Sequence, residues 1–187
     1  MVKKKTCVFI SGQGTNLKNL INRCRDTNFP IIINLIISNN KNAKGINYAK
    51  RFRIPYVYIN TKINDYERKI LFNLKKYKIS FICLAGYMKI ISNKIISKFN
   101  KKIINIHPSL LPKFKGLNTF NKILISREIK TGCTVHFVNK KLDDGKIIVK
   151  KQFFLNSNDD EHSIKKKTHE LEYKAYPEAI IKIFRNR

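Results

Sequence analysis

Ile103-Ile104-Asn105-Ile106-His107-Pro108-Ser109-Leu110-Leu111-Pro112-Lys113-Phe114-Lys115-Gly116 is the stretch that orders the chain. Ile103 to Ile106 is a short apolar run of the kind that forms a buried parallel strand. It carries one polar side chain, Asn105, and stops at His107-Pro108. Proline fixes its own φ, removes a donor and biases the residue before it toward an extended backbone. His107 is therefore placed at the carboxyl end of a strand, where open α/β sheets bind their ligands. Asn105, two residues earlier, points to the same side. Pro112 and Gly116 keep the next segment irregular, and the sharp turn there makes Leu111-Pro112 a candidate cis peptide. An imidazole trades protons near neutral pH. Beside a carboxamide it can hold a carbonyl oxygen and move protons around it. The competing reading of His107 is a structural histidine satisfied at a strand end.

Outward from this stretch, apolar runs and helical patterns alternate. Strands are expected at Thr6–Ser11, Ile31–Ser38 (buried on both faces), Pro55–Ile59 and Ile79–Leu84. Gly132–Val138 alternates like a half-buried strand, and Lys146–Phe154 is a further strand. Helices are expected from Leu17 to about Arg25 and over Ala43–Arg53, Asp65–Lys76, Ser92–Phe99 and Thr119–Arg127. A last helical region, Ile164–Phe184, is expected in two pieces because Pro177 interrupts it. This alternation predicts an α/β fold with a mostly parallel central sheet covered by helices on both faces. With no repeat or linker, residues 1–187 are expected to be one Rossmann-like domain.

Between the first strand and first helix lies Gly12-Gln13-Gly14-Thr15-Asn16-Leu17. Strand, glycine loop and helix can cradle an anion on exposed N–H groups. Leu17 stands where a dinucleotide fingerprint needs its third glycine, and no Walker lysine follows. The other reading is a plain tight turn.

Composition narrows the classes. The 187 residues are 43% hydrophobic and carry 39 Lys and Arg against 12 Asp and Glu, a net charge of +27. The lysines are spread along the chain without interleaved aromatic residues, as a biased coding composition would produce, so no specific nucleic acid is expected. A basic surface would still steer polyanionic small molecules. No apolar run of about 18 residues predicts a membrane span. Lys3-Lys4-Lys5-Thr6 runs straight into a strand, so no signal peptide and a cytoplasmic location are expected. Cys7, Cys24, Cys83 and Cys133 are scattered and read as buried free thiols, with no metal site.

The central motif, Asn105-Ile106-His107-Pro108-Ser109-Leu110-Leu111-Pro112 followed by Gly116-Leu117 and Thr119, closely resembles the active-site segment of the phosphoribosylglycinamide formyltransferases. These are folate-dependent enzymes of purine synthesis. Three further blocks resemble the family in the same order. Ser11-Gly12-x-Gly14-Thr15-Asn16-Leu17 is similar to its ribose-phosphate loop, which implies phosphate contacts for Gly14, Thr15 and Asn16. Leu84-Ala85-Gly86-Tyr87-Met88-Lys89-Ile90-Ile91-Ser92 is similar to its pterin-binding block. That implies folate contacts for Met88, Lys89, Ile90 and Ile91, with Asn105. Val135-His136-Phe137-Val138, with Leu142, Asp143 and Gly145, is similar to the segment carrying its catalytic acid. That makes Asp143 the acid and His136 a supporting residue. Asp144 stands where the family usually has glycine. Glu172, ahead of Tyr176-Pro177, is similar to the acid that holds the glycinamide sugar or amine; alternatively it lies on a solvated helix face. The family's arginine near the folate tail has no clear counterpart, only Lys62.

The resemblance implies the formyltransferase fold and transfer of a formyl group from 10-formyltetrahydrofolate, as co-substrate, to glycinamide ribonucleotide. Asn105 would donate to the oxyanion, His107 would carry the proton, and Asp143 would raise the pKa of His107. The expected partners are these small molecules, with no membrane, and the protein is expected to be a monomer or homodimer. The related methionyl-tRNA formyltransferases share the Asn-x-His and Ser-Leu-Leu-Pro elements but carry a C-terminal RNA-binding barrel, for which Arg187 leaves no room. The hydrolase of the same folate carries an extra N-terminal regulatory domain.

Overall fold

The computed structural model describes residues 2–185. It divides into two compact units, Met1–Ile104 and Asn105–Arg187.

The first unit carries strands β1 (Lys4–Ile10), β2 (Ile31–Ser38), β3 (Tyr56–Tyr58) and β4 (Phe81–Leu84), in the order β3-β2-β1-β4. The β1–β2, β1–β4 and β2–β3 pairs are all parallel. Its helices are α1 (Thr15–Arg23), α2 (Ile46–Arg51), α3 (Tyr66–Lys76) and α4 (Asn93–Lys98). Each element lies where the apolar pattern puts it: β2 keeps the expected bounds, β1 and α1 each begin two residues early, and the others are shorter than expected. Leu17, Leu20 and Ile21 form the buried stripe of α1, which is the spacing a helix needs to cover a sheet. β2 is less enclosed than expected: Ile32 is exposed and Asn34 half-buried. The register with β1 slips there, leaving Asn34 unpaired against β1. Such a bulge bends the strand and lifts its first half from cover.

The second unit begins inside β5 (Ile103–His107) and continues with α5 (Thr119–Ile125), β6 (Lys130–Phe137), β7 (Ile147–Phe154) and α6 (Glu161–Arg185). β6 and β7 are antiparallel. Two expectations are corrected here. β6 is buried on both faces over Thr131–His136, so its alternating sequence does not mark a wet face. Buried Thr134 explains its polar positions: its Oγ1 donates to the Ser109 carbonyl at 2.7 Å and accepts from Leu111 N–H at 3.1 Å. The second correction is α6, which runs unbroken through Pro177 for 25 residues. Proline forfeits one helical hydrogen bond and crowds the preceding turn. Buried Ala175, Tyr176, Ala179, Ile180 and Phe184 outweigh that, since a large apolar side chain contributes about 1.5–3 kcal/mol when covered.

The loop after β5 is fixed at several points. Leu111–Pro112 is cis, Ser109 Oγ donates to the Lys113 carbonyl at 2.6 Å, and Lys150 Nζ donates to the Leu111 carbonyl at 2.6 Å. Cys7, Cys83 and Cys133 are buried free thiols, as expected, whereas Cys24 is half-buried. Burial pushes the Cys24 thiol up to about 11. Among the described residues, no helix is long and apolar enough to cross a membrane.

Gly132 pairs with Gln152 across β6–β7, and a Cβ there would sit 1.9 Å from the Lys151 carbonyl oxygen. Gly132→Ala should therefore destabilise the fold by about 1–3 kcal/mol, read as a drop in Tm of several degrees. An unchanged melting curve would contradict this β6–β7 packing.

Candidate active site

Asp143 is where the polar side chains of the second unit meet. It lies in the turn after β6 with φ 46°, in the left-handed region, and its side chain is only 8% exposed. Oδ2 accepts the Gly116 N–H at 2.9 Å and lies 3.3 Å from His107 Nδ1. Oδ1 accepts from Asn105 Nδ2 at 3.4 Å and lies 3.6 Å from His136 Nε2. The strand period puts Asn105 and His107 on one side of β5. The candidate catalytic trio and the supporting histidine are thus brought together.

The acceptors around each ring constrain its hydrogens. His107 Nε2 is 2.8 Å from the Phe114 carbonyl oxygen and Nδ1 is 3.3 Å from Asp143 Oδ2, so both nitrogens face acceptors and the neutral ring donates to one of them at a time. His136 Nδ1 is 2.9 Å from the Phe137 carbonyl oxygen, so it donates. In the neutral ring, Nε2 of His136 then accepts from Asn105 Nδ2 at 3.3 Å. Both amide hydrogens of Asn105 are therefore directed at His136 and Asp143, which fixes which end of the amide is nitrogen. Both bonds are near the long limit for N–H donors.

The charge balance at His107 differs from the sequence expectation. Burial, the largest effect, pulls the imidazole down. Asp143 and the Phe114 carbonyl pull it up, and the charges of His136 and Lys122 pull it down again. The net result lies below the ordinary 6.5. Asp143 does raise the affinity of His107 for a proton, but not enough to make it an imidazolium at neutral pH, because desolvation disfavours the charged ring. Burial pushes the Asp143 carboxyl up, yet the facing His136 ring, the Gly116 N–H and the positive charge the two imidazoles can carry hold it below the usual carboxylate range. Asp144 turns to the surface, where its Oδ1 meets Lys115 Nζ at 2.5 Å.

Glu172 is only 4% exposed on α6, so it does not lie on a solvated face. Burial and then the charge of Glu172 push the Cys133 thiol up to about 12. His136 is 2% exposed.

In the first unit, Gly14 caps α1 at φ 74°. A Cβ there would lie 2.5 Å from the Gly45 Cα, so both conformation and packing require glycine. Thr15 and Asn16 open α1, half-buried and buried. Ser11 is a node: its Oγ donates to Asn39 Oδ1 at 2.5 Å and accepts from Met88 N–H at 2.7 Å. Met88 is 60% and Ile90 74% exposed, and Lys89 is exposed too. Ile91 is buried, so its side chain belongs to the core and only its backbone can face a ligand. Gly86 has φ 71° with open space where a side chain would be.

Three contributors were not legible as functional groups. The Phe114 carbonyl and the Gly116 N–H act through backbone atoms, and their only sequence signal was a glycine after a proline turn. Ser11 was read as part of the glycine loop, not as a link to Asn39 and Met88.

The chain matches the formyl transferase family model over residues 4–180. It is 39% identical over 192 residues to the phosphoribosylglycinamide formyltransferase of Haemophilus influenzae, covering 97% of this chain and 87% of that one. It is 37% identical to the human trifunctional purine biosynthetic protein adenosine-3, covering 95% of this chain but 18% of that longer protein. The crystal structure of the phosphoribosylglycinamide formyltransferase from Bacillus halodurans superposes with a TM-score of 0.93 at 30% identity, covering 96% and 95% of the two chains. That from Campylobacter jejuni gives 0.88 at 33% identity, covering 98% of each. These superpositions give the chain the same α/β fold.

The His107 ring should titrate below 6.5 in an NMR pH series. The unfolded chain takes up this proton near 6.5 and the folded chain only at lower pH, so the group costs stability as pH falls below about 6.5. Asp143→Asn removes the largest upward influence and should lower the midpoint further. A midpoint that rises in Asp143→Asn would refute this balance.

Proposed function

The chain belongs to the formyl transferase family, among the phosphoribosylglycinamide formyltransferases, and we propose that it moves the formyl group of 10-formyltetrahydrofolate to the amine of glycinamide ribonucleotide. It is a formyltransferase enzyme whose relatives serve purine synthesis. The observation that carries the finer reading is the convergence of Asn105, His107 and Asp143 within hydrogen-bond or ion-pair reach.

Formyl transfer is acyl transfer: an amine attacks, charge develops on the formyl oxygen, and a nitrogen leaves with a proton. Neutral His107 suits the first proton movement, because burial keeps it ready to accept. The ring hydrogen passes to Nδ1, where it faces Asp143 Oδ2, so that Nε2 leaves the Phe114 carbonyl with a free lone pair and takes the proton of the attacking amine. Asp143 stabilises the imidazolium that then forms, and the same Nε2 returns the proton to the leaving nitrogen. Asn105 donates to the oxyanion, trading a bond of 3.3 or 3.4 Å for a shorter one to a charged oxygen. Catalytic bonds in a ligand-free site are commonly long and tighten with substrate. His136 supports by fixing the Asn105 amide.

The anion of the ribonucleotide is assigned to the N-terminus of α1, with Gly14, Thr15 and Asn16, where N–H groups and the helix dipole favour negative charge. The folate is assigned to Met88, Lys89, Ile90 and the backbone of Ile91, with Asn105. Exposed Met88 and Ile90 beside open Gly86 form a surface that a flat ring can cover. Glu172 is assigned to the sugar or amine. Residues 1–187 then work as one domain on cytoplasmic small molecules.

Purified protein should formylate glycinamide ribonucleotide with the formyl folate. His107→Ala and Asn105→Ala should each cut kcat by roughly 10²-fold or more while the circular dichroism spectrum and Tm hold. Near-parental turnover in either variant would remove the mechanism; transfer only to a different amine would reassign the substrate.

A further inference from the structure

Lys115 lies between the two backbone groups that touch the catalytic side chains. The Phe114 carbonyl before it accepts from His107, and the Gly116 N–H after it donates to Asp143. The segment is not held by local preference. Phe114, Gly116 and Asn118 all take positive φ, at 57°, 80° and 57°, which side chains other than glycine adopt only when the surroundings impose it. The surroundings are visible. Lys113 Nζ pairs with Glu128 at 2.6 Å. Lys122 Nζ donates to the Lys115 carbonyl at 3.4 Å, and Thr119 Oγ1 to that of Gly116 at 3.2 Å. Beside the Gly116 N–H on Asp143, the segment is tied to the Asp143 turn by a side chain of its own, Lys115 Nζ on Asp144 Oδ1, at 2.5 Å. Asp144 is the residue after Asp143.

We propose that Lys115 is a positioning residue: its ion pair with Asp144 sets the 113–118 segment against the Asp143 turn and cancels the second carboxylate, so that Asp143 acts on His107 without a second negative charge beside it. The proposal rests on the catalytic reading above for its effect on turnover, but not for its effect on titration.

The two roles follow from the same contact. Lys115 and Asp144 are 34% and 40% exposed, where an ion pair contributes little stability. What it supplies is registry, through the neighbouring peptide groups that meet His107 and Asp143. Its electrostatic role is local. The charged and titratable groups around His107 and the turn are Asp143, His136 and Lys122, with Lys115 and Lys141 acting on Asp144. An unpaired Asp144 would add a second negative charge beside Asp143 and hold a proton on His107. An unpaired Lys115 would do the reverse.

The test is an NMR titration of His107 in the full chain without substrate, alongside kcat and KM, in Lys115→Met, Asp144→Gly, the double variant and Lys115→Arg. Lys115→Met should raise the His107 midpoint and lower kcat by about tenfold through loop misplacement. Asp144→Gly should lower the midpoint. The double variant should return the midpoint to the parent value, and Lys115→Arg should keep parental behaviour. An unmoved midpoint in both single variants, or a double variant that follows one of them, overturns the proposal. If Lys115→Met does not fold, the direction of the Asp144→Gly shift decides. A parent that shows the titration pattern but does not formylate glycinamide ribonucleotide would support the staple and reject the substrate assignment.

Discussion

A carboxylate taken out of water must be repaid on every side, and Asp143 imposes that demand on the second unit. An unpartnered buried charge is far costlier than the contacts that hold it. Here the partners come from three stretches: Asn105 and His107 on β5, the Gly116 N–H in the loop after it, and His136 on β6. Each partner constrains its own stretch. β6 must turn His136 inward, the loop must present an N–H at Gly116, and Asp143 itself must take a left-handed backbone. Each distortion is local, and the oxygen atoms of one side chain are their common cause.

The network also explains why the site can be acidic and basic at once. Asp143 is held below the ordinary carboxylate range by N–H donors and imidazoles, so it stays ionised. His107 is held below the ordinary imidazole range by burial, so it stays neutral. The pair rests as carboxylate and free base, and it gains most when a proton arrives on the ring. Environments that push neighbouring groups apart in this way are how a site assigns acid and base roles. The Phe114 carbonyl holds Nε2 in the meantime, so the ring is oriented before a substrate competes for it.

How much of this was legible follows from what each signal measures. Apolar runs report which segments are buried, so β1, β2, β4 and β5 and the stripe of α1 lay where the pattern put them. The same signal could not tell that β6 is covered on both faces, because Thr134 and His136 are satisfied by partners the pattern does not contain. Pro177 signalled a break that the buried stripe of α6 overrides. Asn105 and His107 were legible because a strand period and a following proline place their side chains together, whereas Asp143 came into view only through the family resemblance. Phe114 and Gly116 were not legible, because a carbonyl and an N–H have no letter of their own. The charge of His107 was misjudged because a sequence names the neighbouring acid but not the burial that opposes it.

The excess of cations gives this arrangement a further consequence. With 39 basic residues against 12 acids, lysines pair with several carboxylates of this chain: Asp65, Glu128, Asp144, Asp159 and Glu178. A lysine on Asp143 would quench the field that stabilises a protonated His107 and would fill the space a substrate needs. Among the described residues, the contacts of Asp143 are instead an amide, a backbone N–H and two imidazoles, and its side chain is 8% exposed where that of Asp144 is 40%. Burial lowers the basicity of His107, and the N–H groups of Asn105 and Gly116 engage the oxygens of the acid beside it.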